Sequence, residues 1–248
     1  MRFLEDLRPS DPPLGLAIDE VVWASSRRSK RPCVRFWVNQ TSIIIGRSQR
    51  LADEVDGEAA ARHGVSAFRR ISGGGAVVHY PGNLNVSICL PEAGRFGGGV
   101  EAIFERLGKE VALGLGRAVP GVTAFGNGLY VKERKVGGAA QARRGSSCLY
   151  HTTILIGPMM VPMTKLLRAH HPGYAPAAVA SRPRSVVTVS ELSQRPPSLA
   201  EVAVEIEAQL IQSWGEPFER DHLSESELEA ALDLAARKYG SRQWNASR

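Results

Sequence analysis

Cysteine is scarce in this sequence. Only Cys33, Cys89 and Cys148 occur among the 248 residues, an odd number without CxxC spacing. Such a set argues against a disulfide framework and against a zinc site of the usual spacing. Long apolar runs are also missing, because none reaches the roughly 18 residues of a membrane-spanning helix. The first six residues do not resemble a signal peptide. The sequence therefore predicts a cytoplasmic protein.

The charge is positive overall and unevenly distributed. Lys and Arg number 31 against 25 Asp and Glu, a net charge of +6. Residues 215–233 hold five Glu and two Asp but only one Arg, so the positive excess lies in the rest of the chain. This distribution favours an anionic substrate or an acidic partner. With 43 % hydrophobic and 23 % charged residues, the composition is typical of a soluble globular protein.

The periodicity of apolar residues predicts an α+β fold. Helical patterns lie at 14–26, 51–63, 100–118, 198–214 and 224–239, the last two after Ser-x-x-Glu capping boxes. Short β-rich runs lie at 34–38, 42–46, 66–70, 76–79, 84–90, 129–131, 135–139 and 152–156. Because short strands follow one another through tight turns, we expect a mixed, largely antiparallel sheet flanked by helices rather than regular βαβ winding.

The most informative local feature is a glycine-rich segment at residues 69–85. Three consecutive glycines, 73–75, permit a backbone turn whose N–H groups can bind an anion. Arg69 and Arg70 precede them and can supply bidentate phosphate contacts. The segment lacks the Gly-Lys-Ser/Thr of a P-loop and the spacing of a dinucleotide fingerprint. We favour a functional role over a plain glycine hairpin, and we interpret the second triple at 97–99 as a flexible loop.

Two further candidates lie downstream. Lys135 precedes small residues, so its ammonium group can serve a carboxylate, a phosphate or a developing oxyanion, although a simple turn lysine fits the pattern as well. Cys148 and His151 suggest a nucleophile and its base. On a strand, however, residues three apart point to opposite faces, which disfavours that pairing.

Five motifs in order resemble the lipoate–protein ligase A family of the biotin/lipoate ligase superfamily. Residues 69–83 resemble the family's Arg-Arg-x-Ser-Gly-Gly-Gly-Ala-Val-x-His…Gly-Asn, and residues 134–139 resemble its Arg-Lys-Val/Ile-Ser/Ala-Gly-Ser segment. Residues 45–49, 16–20 and 151–155 resemble the other three motifs. The resemblance covers about residues 14–245. It implies a fold like that of class-II aminoacyl-tRNA synthetases and biotin ligases.

The resemblance also implies an activity and a site. Such enzymes join lipoate to ATP, release pyrophosphate, and transfer the lipoyl group from lipoyl-AMP to a lysine of a lipoyl domain. Lys135 is the expected catalytic residue. The expected nucleotide-binding residues are Arg70, Gly75, Ala76, Val77, Val78 and Lys135. The expected residues around lipoate or its adenylate are Arg70, Ser72, Gly73, Gly74, Gly75, His79, Asn83, Asn85, Lys135, Gly138, Ala139, His151 and Thr153.

Cofactor and partner expectations follow from the same resemblance. ATP and Mg²⁺ are expected without a tightly bound cofactor, with lipoate as substrate. The metal ligands stay unassigned because Gly128 stands where the family has an aspartate. An acidic lipoyl-domain protein is the expected partner, rather than a nucleic acid or a membrane. We expect residues 1–248 to form one catalytic domain without the family's C-terminal accessory domain; either a separate chain supplies that domain or the large domain suffices.

Two alternatives remain. Related acyltransferases take an octanoyl or lipoyl group from a carrier through a cysteine thioester, without ATP. Their cysteine is expected near residues 121–128 or 170–174, and neither stretch contains one, which leaves only Cys148. The second alternative is a lipoate-binding protein without catalytic activity.

Overall fold

We describe the protein from a computed structural model, which covers residues 1–97, 99–182 and 184–247. The flexible loop predicted at residues 97–99 centres on Gly98, which lies outside the described residues. The strands are β1 (Arg2–Ser10), β2 (Cys33–Asn39), β3 (Ser42–Ile45), β4 (Ala67–Arg69), β5 (Val77–His79), β6 (Asn83–Leu90), β7 (Val122–Phe125), β8 (Gly128–Val131), β9 (Arg134–Arg144), β10 (Ser147–Leu155) and β11 (Glu219–Arg220). The α-helices are α1 (Pro12–Ser29), α2 (Leu51–Glu54), α3 (Gly57–Arg62), α4 (Val100–Ala118), α5 (Met163–Leu166), α6 (Leu199–Trp214), α7 (Glu225–Leu234) and α8 (Arg242–Asn245).

The strands form two sheets. The larger has the order β11-β1-β2-β6-β10-β9-β8-β7, and the smaller has the order β4-β3-β5. In the larger sheet β1 runs parallel to β2 and β11, and every other neighbouring pair is antiparallel. Helix α1 makes the crossover that the parallel β1–β2 pair requires. The predicted mixed, largely antiparallel α+β fold is therefore confirmed.

The two faces of the larger sheet bury different apolar clusters. Because side chains alternate along a strand, Phe36 and Ile88 face α4 and α6, whereas Trp37 and Cys89 face α1. Strand β10 follows the same rule. Its Tyr150 belongs to the first cluster and its Leu149 to the second. The side facing α1 carries most of the polar residues that the sequence singled out.

Local sequence signals located most helices and misplaced one. Both predicted capping boxes are present, with Ser198 accepting from the Glu201 N–H and Ser224 from the Glu227 N–H. The helix predicted over 51–63 is instead split into α2 and α3. The reason is Asp56, whose side chain accepts from the Ala59 N–H at 2.8 Å and so begins a new helix.

Basic residues elsewhere in the chain form ion pairs with the acidic segment 215–233. Arg2 binds both Asp221 and Glu227, and Arg31 binds Glu219. The segment therefore packs against basic residues near the start of the chain and of β2. Among the described residues, no helix combines the length and the apolar character needed to cross a membrane.

Candidate functional site

A cavity of about 1230 Å³ lies along the α1-facing side of the larger sheet and extends around its edge to the start of α4. Segments far apart in the chain line it, within residues 70–79, 124–127, 135–140, 151–155 and 179–186. Its size exceeds the few hundred cubic ångströms of a typical small-ligand pocket. It can therefore hold a ligand with more than one chemical part.

Strand register fixes the floor of this cavity. Trp37 pairs with Asn85, Asn85 with Thr153, and Thr153 with Gly138, so four neighbouring strands contribute one row of residues. All four residues line the cavity. At about 4.8 Å between strands, the row extends roughly 14 Å from Gly138 to Trp37. Trp37 belongs to the apolar cluster that contains Leu16 and Ile44, so this end of the row is apolar.

Lys135 lies at the opposite end of the row. The register of β9 against β8 shifts beside it, and its Nζ lies 3.4 Å from the position that a Cβ on Gly138 would occupy. The small residue at 138 thus leaves room for the ammonium group. Among the described residues, Nζ has no ion pair or hydrogen bond, and no acidic group raises the pKa of Lys135. Burial, together with the positive charge of Arg184, lowers the pKa of Lys135 below its ordinary value.

Arg70 is the second cation of the cavity and, unlike Lys135, is buried. Its Nη2 donates to the carbonyls of Gly73 and Gly75, and its Nε donates to Ser72 Oγ at 2.9 Å. No carboxylate among the described residues contacts it. Burial lowers its pKa to about 10, so the guanidinium stays protonated at neutral pH. Arg70 therefore shapes the glycine-rich loop and adds an uncompensated positive charge to the cavity wall.

Arg69 has a different role from its neighbour. It is fully buried, lies outside the cavity lining, and donates to the carbonyls of Gln49, Trp244 and Asn245. Arg69 thus ties the C-terminal helix α8 to the end of the smaller sheet. Of the two arginines that the sequence offered for phosphate contacts, only Arg70 reaches the cavity.

The glycine-rich loop is held closely on both sides. Gly74 has a φ of +84°, which favours glycine, and its carbonyl packs directly against Gly46. On the other side the Ala76 N–H donates to Ser181 Oγ at 2.8 Å. Ser181 in turn donates to the buried carboxylate of Glu54. Within the backbone predicted to cradle phosphates, the Ala76 N–H is therefore engaged by Ser181 in this structure.

A buried polar chain lies beneath the loop. Ser72 Oγ lies 2.6 Å from His151 Nε2, and His151 Nδ1 lies 3.4 Å from Asp19 Oδ2. Burial opposes ionisation of Asp19, but the charge of Arg35, which donates to Asp19 at 2.6 Å, outweighs it and the pKa stays below the ordinary value. Ser72 is fully buried and does not line the cavity. Its hydroxyl therefore positions His151 and Arg70 rather than meeting a substrate.

The structure brings most of the predicted site residues together. Those lining the cavity are Arg70, Gly74, Gly75, Ala76, Val77, His79, Asn85, Lys135, Gly138, Ala139, His151 and Thr153. Ser72, Gly73, Val78 and Asn83 do not line it. Val78 packs in the smaller sheet's core, and Asn83 donates to the Val78 carbonyl at 3.0 Å. Their predicted roles in binding stay predictions.

Sequence reasoning missed many of the cavity residues, among them Trp37, Ser181 and Arg184. Trp37 looked like an ordinary core residue of an alternating strand. Ser181 and Arg184 lie in a proline- and arginine-rich stretch without a motif. Each reaches the cavity only through long-range packing. Strand alternation could have indicated Trp37, because it places Trp37 on the face of β2 opposite Phe36, which is the face that borders the cavity.

The cysteines lie away from the cavity. All three are buried in strands, and none lines the cavity. Cys148 packs with Tyr150 and Ile154 on the face of β10 opposite His151, as the strand periodicity indicated. Burial raises the pKa of the Cys148 thiol to about 11 and that of Cys33 to about 12. These thiols are not poised as nucleophiles.

The described residues do not form a resident metal site. No group of three or more His, Cys, Asp or Glu side chains among them could hold an ion. Glu101 and Glu105 line the cavity, whereas Gly128 supplies no ligand. A Mg²⁺ ion usually keeps several waters and binds chiefly through substrate phosphates. We therefore assign no chemical step to a protein-held metal.

Taken together, the cavity has an apolar end at Trp37 and two cations, the buried Arg70 and the partly buried Lys135, that contact no carboxylate among the described residues. This arrangement is suited to a molecule with an apolar chain and an anionic group. The chain belongs to the lipoyl protein ligase A/B catalytic domain family, whose model matches residues 11–211.

Individual relatives agree with this membership. The chain is 27 % identical to lipoate-protein ligase A subunit 1 of Thermoplasma acidophilum, over 96 % of this chain and 93 % of that protein. It is 30 % identical to octanoyltransferase LipM of Symbiobacterium thermophilum, over 94 % and 93 %. The crystal structure of a lipoate-protein ligase A bound with ATP has the same fold, with a TM-score of 0.81, 24 % identity and 99 % coverage of both chains. The chain spans only 54 % to 61 % of several other curated relatives.

Proposed function

We propose that this protein is an ATP-dependent lipoate–protein ligase. It would join lipoate to ATP, release pyrophosphate, and pass the lipoyl group from lipoyl-AMP to a lysine of a lipoyl domain. The observation that carries the proposal is a pair of cations, the buried Arg70 and the partly buried Lys135, that face one cavity without an acidic partner in the described part of the chain. Buried charges without partners are costly, so such a pair favours an anionic ligand.

The geometry supports a role for Lys135 in both steps. In the first, a lipoate carboxylate oxygen attacks the α-phosphorus and pyrophosphate leaves. A cation there offsets the repulsion between two anions and stabilises the crowded phosphoryl oxygens. In the second, the acceptor amine attacks the acyl carbonyl, AMP leaves, and the amine proton passes to solvent. The same ammonium group stabilises the transient oxyanion.

The ATP-independent acyltransferase is the competing proposal, because a relative over nearly the full length is an octanoyltransferase. That route requires a cysteine at the acyl-binding site. Cys33, Cys89 and Cys148 are all buried away from the cavity, and burial raises the pKa of each thiol. The positions of the cysteines therefore support the ligase.

The partners are part of the same proposal. The acceptor would be an acidic lipoyl domain, attracted by the basic excess of the chain outside residues 215–233. The relative named subunit 1 supports a division in which a second chain carries an accessory domain. For the reactions tested below, we propose that the present chain suffices without it. Mg²⁺ would arrive with the ATP phosphates.

The test is a mass measurement on a purified lipoyl domain incubated with the protein, lipoate, ATP and Mg²⁺. We expect the mass of one lipoyl group to be added, and none when ATP is omitted. Parallel reactions contain an octanoyl or lipoyl carrier protein without ATP. If acyl transfer occurs in the carrier-protein reactions and not in the reaction with lipoate and ATP, the protein is an acyltransferase. Lipoate binding without transfer in any reaction would establish a non-catalytic binding protein.

A further inference from the structure

The amide of Asn85 is an unpaired donor buried in the cavity floor. The residue is 2 % exposed, and its Oδ1 accepts from Thr153 Oγ1 at 2.8 Å. Its Nδ2 has no hydrogen-bond partner among the described residues. Buried donors are almost always paired in folded proteins. Because Asn85 lines the cavity, the missing partner is one that a bound ligand can provide.

A chain of hydrogen bonds fixes which end of this amide is free. Ser10 Oγ lies 3.0 Å from the Val38 carbonyl and 3.2 Å from Asn39 Oδ1, and the Asn39 amide is oriented with its Nδ2 donating to His79 Nδ1 at 3.2 Å. Burial lowers the pKa of His79 to about 3, so the ring is neutral and its Nε2–H donates to Thr153 Oγ1. The single hydroxyl proton of Thr153 then goes to Asn85 Oδ1. The two N–H bonds of Asn85 Nδ2 are left over.

The register places this donor at a definite depth in the cavity. Asn85 lies two strands from Gly138, about 10 Å, and pairs directly with Trp37. Lys135 Nζ lies over Gly138. An eight-carbon acid contains seven C–C bonds of about 1.5 Å and spans roughly 9 Å when extended. With its carboxylate at Lys135, its distal end lies at Asn85.

We propose that Asn85 determines which acyl chains the site accepts, by favouring a chain whose distal end carries a hydrogen-bond acceptor over a plain hydrocarbon. The proposal rests on the proposed ligase function. The dithiolane sulfur of lipoate is a weak acceptor of this kind. A saturated chain would cover the amide without pairing it, and an unpaired buried donor disfavours binding.

The test compares two acids that differ only in the acceptor. Lipoate and 5-cyclopentylpentanoate have the same chain and a five-membered ring, but the second has methylene groups in place of both sulfur atoms. Affinity is measured by calorimetry, and turnover is measured by pyrophosphate release with ATP. For the natural protein we expect a preference for lipoate of about tenfold in both measurements. For Asn85→Leu, which is isosteric and lacks the donor, we expect the preference to fall close to onefold.

A matched control separates this effect from general damage to the cavity. Asn127 also lines the cavity, but it lies near the Lys135 end, where its Nδ2 donates to the Ala139 carbonyl. In Asn127→Leu both acids are expected to weaken equally, so the tenfold preference stays. Because each preference is a ratio within one protein, a partly unfolded sample does not alter it.

The outcomes separate the two proposals. An unchanged preference in Asn85→Leu, with both acids turned over, overturns the role of Asn85 and leaves the ligase standing. If calorimetry gives the expected preferences but neither acid releases pyrophosphate, the ligase proposal is contradicted and the role of Asn85 is supported. Binding of neither acid overturns both proposals.

Discussion

The close approach between Gly46 and the glycine-rich loop can be tested with one methyl group. A Cβ on Gly46 would overlap the Gly74 carbonyl oxygen and lie 3.1 Å from the Gly74 carbonyl carbon and 3.3 Å from that of Gly73. These are backbone atoms, so no side-chain rotation relieves the contact. The loop must move, and the Arg70 bonds to the Gly73 and Gly75 carbonyls must lengthen.

Gly46→Ala is therefore expected to lower the free energy of unfolding by about 3 kcal/mol, the upper end for overpacking with a backbone shift. For a chain of this size that is a fall in Tm of roughly 6–12 °C. Denaturant unfolding followed by tryptophan fluorescence measures the change.

Two glycines provide matched controls. A Cβ on Gly73, within the same loop, or on Gly57, at the start of α3, meets nothing within 4 Å. Gly73→Ala and Gly57→Ala are expected to change the free energy of unfolding by about 0.5 kcal/mol or less. If Gly46→Ala also unfolds within that range, the packing argument for the loop is refuted.

Three other predictions concern single side chains. Lys135→Ala should reduce adenylation about 100- to 1000-fold with unchanged circular dichroism. Because its pKa is lowered, activity should fall at alkaline pH earlier than an ordinary lysine allows, and Lys135→Arg should move that fall to higher pH. The pKa of His79 falls from 6.5 to about 3 on folding, so stability is lost as the pH drops from about 6.5. Between about pH 3 and pH 6.5, His79→Gln should lower the slope of unfolding free energy against pH by about 1.4 kcal/mol per pH unit. Asn245→Ala removes the side-chain oxygen that accepts from the buried backbone N–H of Arg69. The free energy of unfolding, measured with denaturant, should fall by about 1–3 kcal/mol. If His79→Gln has the same slope as the natural protein, the lowered pKa of His79 is contradicted. If Asn245→Ala has the same free energy of unfolding as the natural protein, the role of the Asn245 side chain is contradicted.

Local patterns predicted those parts of the fold that short segments decide. A capping box involves residues three apart, so Ser198 and Ser224 marked the starts of α6 and α7 correctly. The same locality explains the error at 51–63, where helical spacing was read without the capping role of Asp56. Strand β1 was missed because charged and polar residues interrupt its apolar pattern, and only Phe3 and Leu4 of Arg2–Ser10 are buried.

The site was predictable only in part, because its depth depends on non-local register. The glycine motif and Lys135 stood out by composition. The row from Gly138 to Trp37 exists only once β2, β6, β10 and β9 lie side by side. Arg69 and Arg70 are adjacent in sequence, yet one binds the carbonyl of Asn245 and the other binds that of Gly75. No local sequence pattern distinguishes the contacts of Arg69 from those of Arg70.

The most direct test of the central claim is lipoate-dependent exchange of labelled pyrophosphate into ATP, without any acceptor protein. This reaction requires reversible formation of lipoyl-AMP at the cavity and no second chain to receive the acyl group. For a ligase we expect exchange that requires lipoate and is lost in Lys135→Ala. Absence of exchange in the natural protein, together with acyl transfer from a carrier protein without ATP, would contradict the ligase proposal.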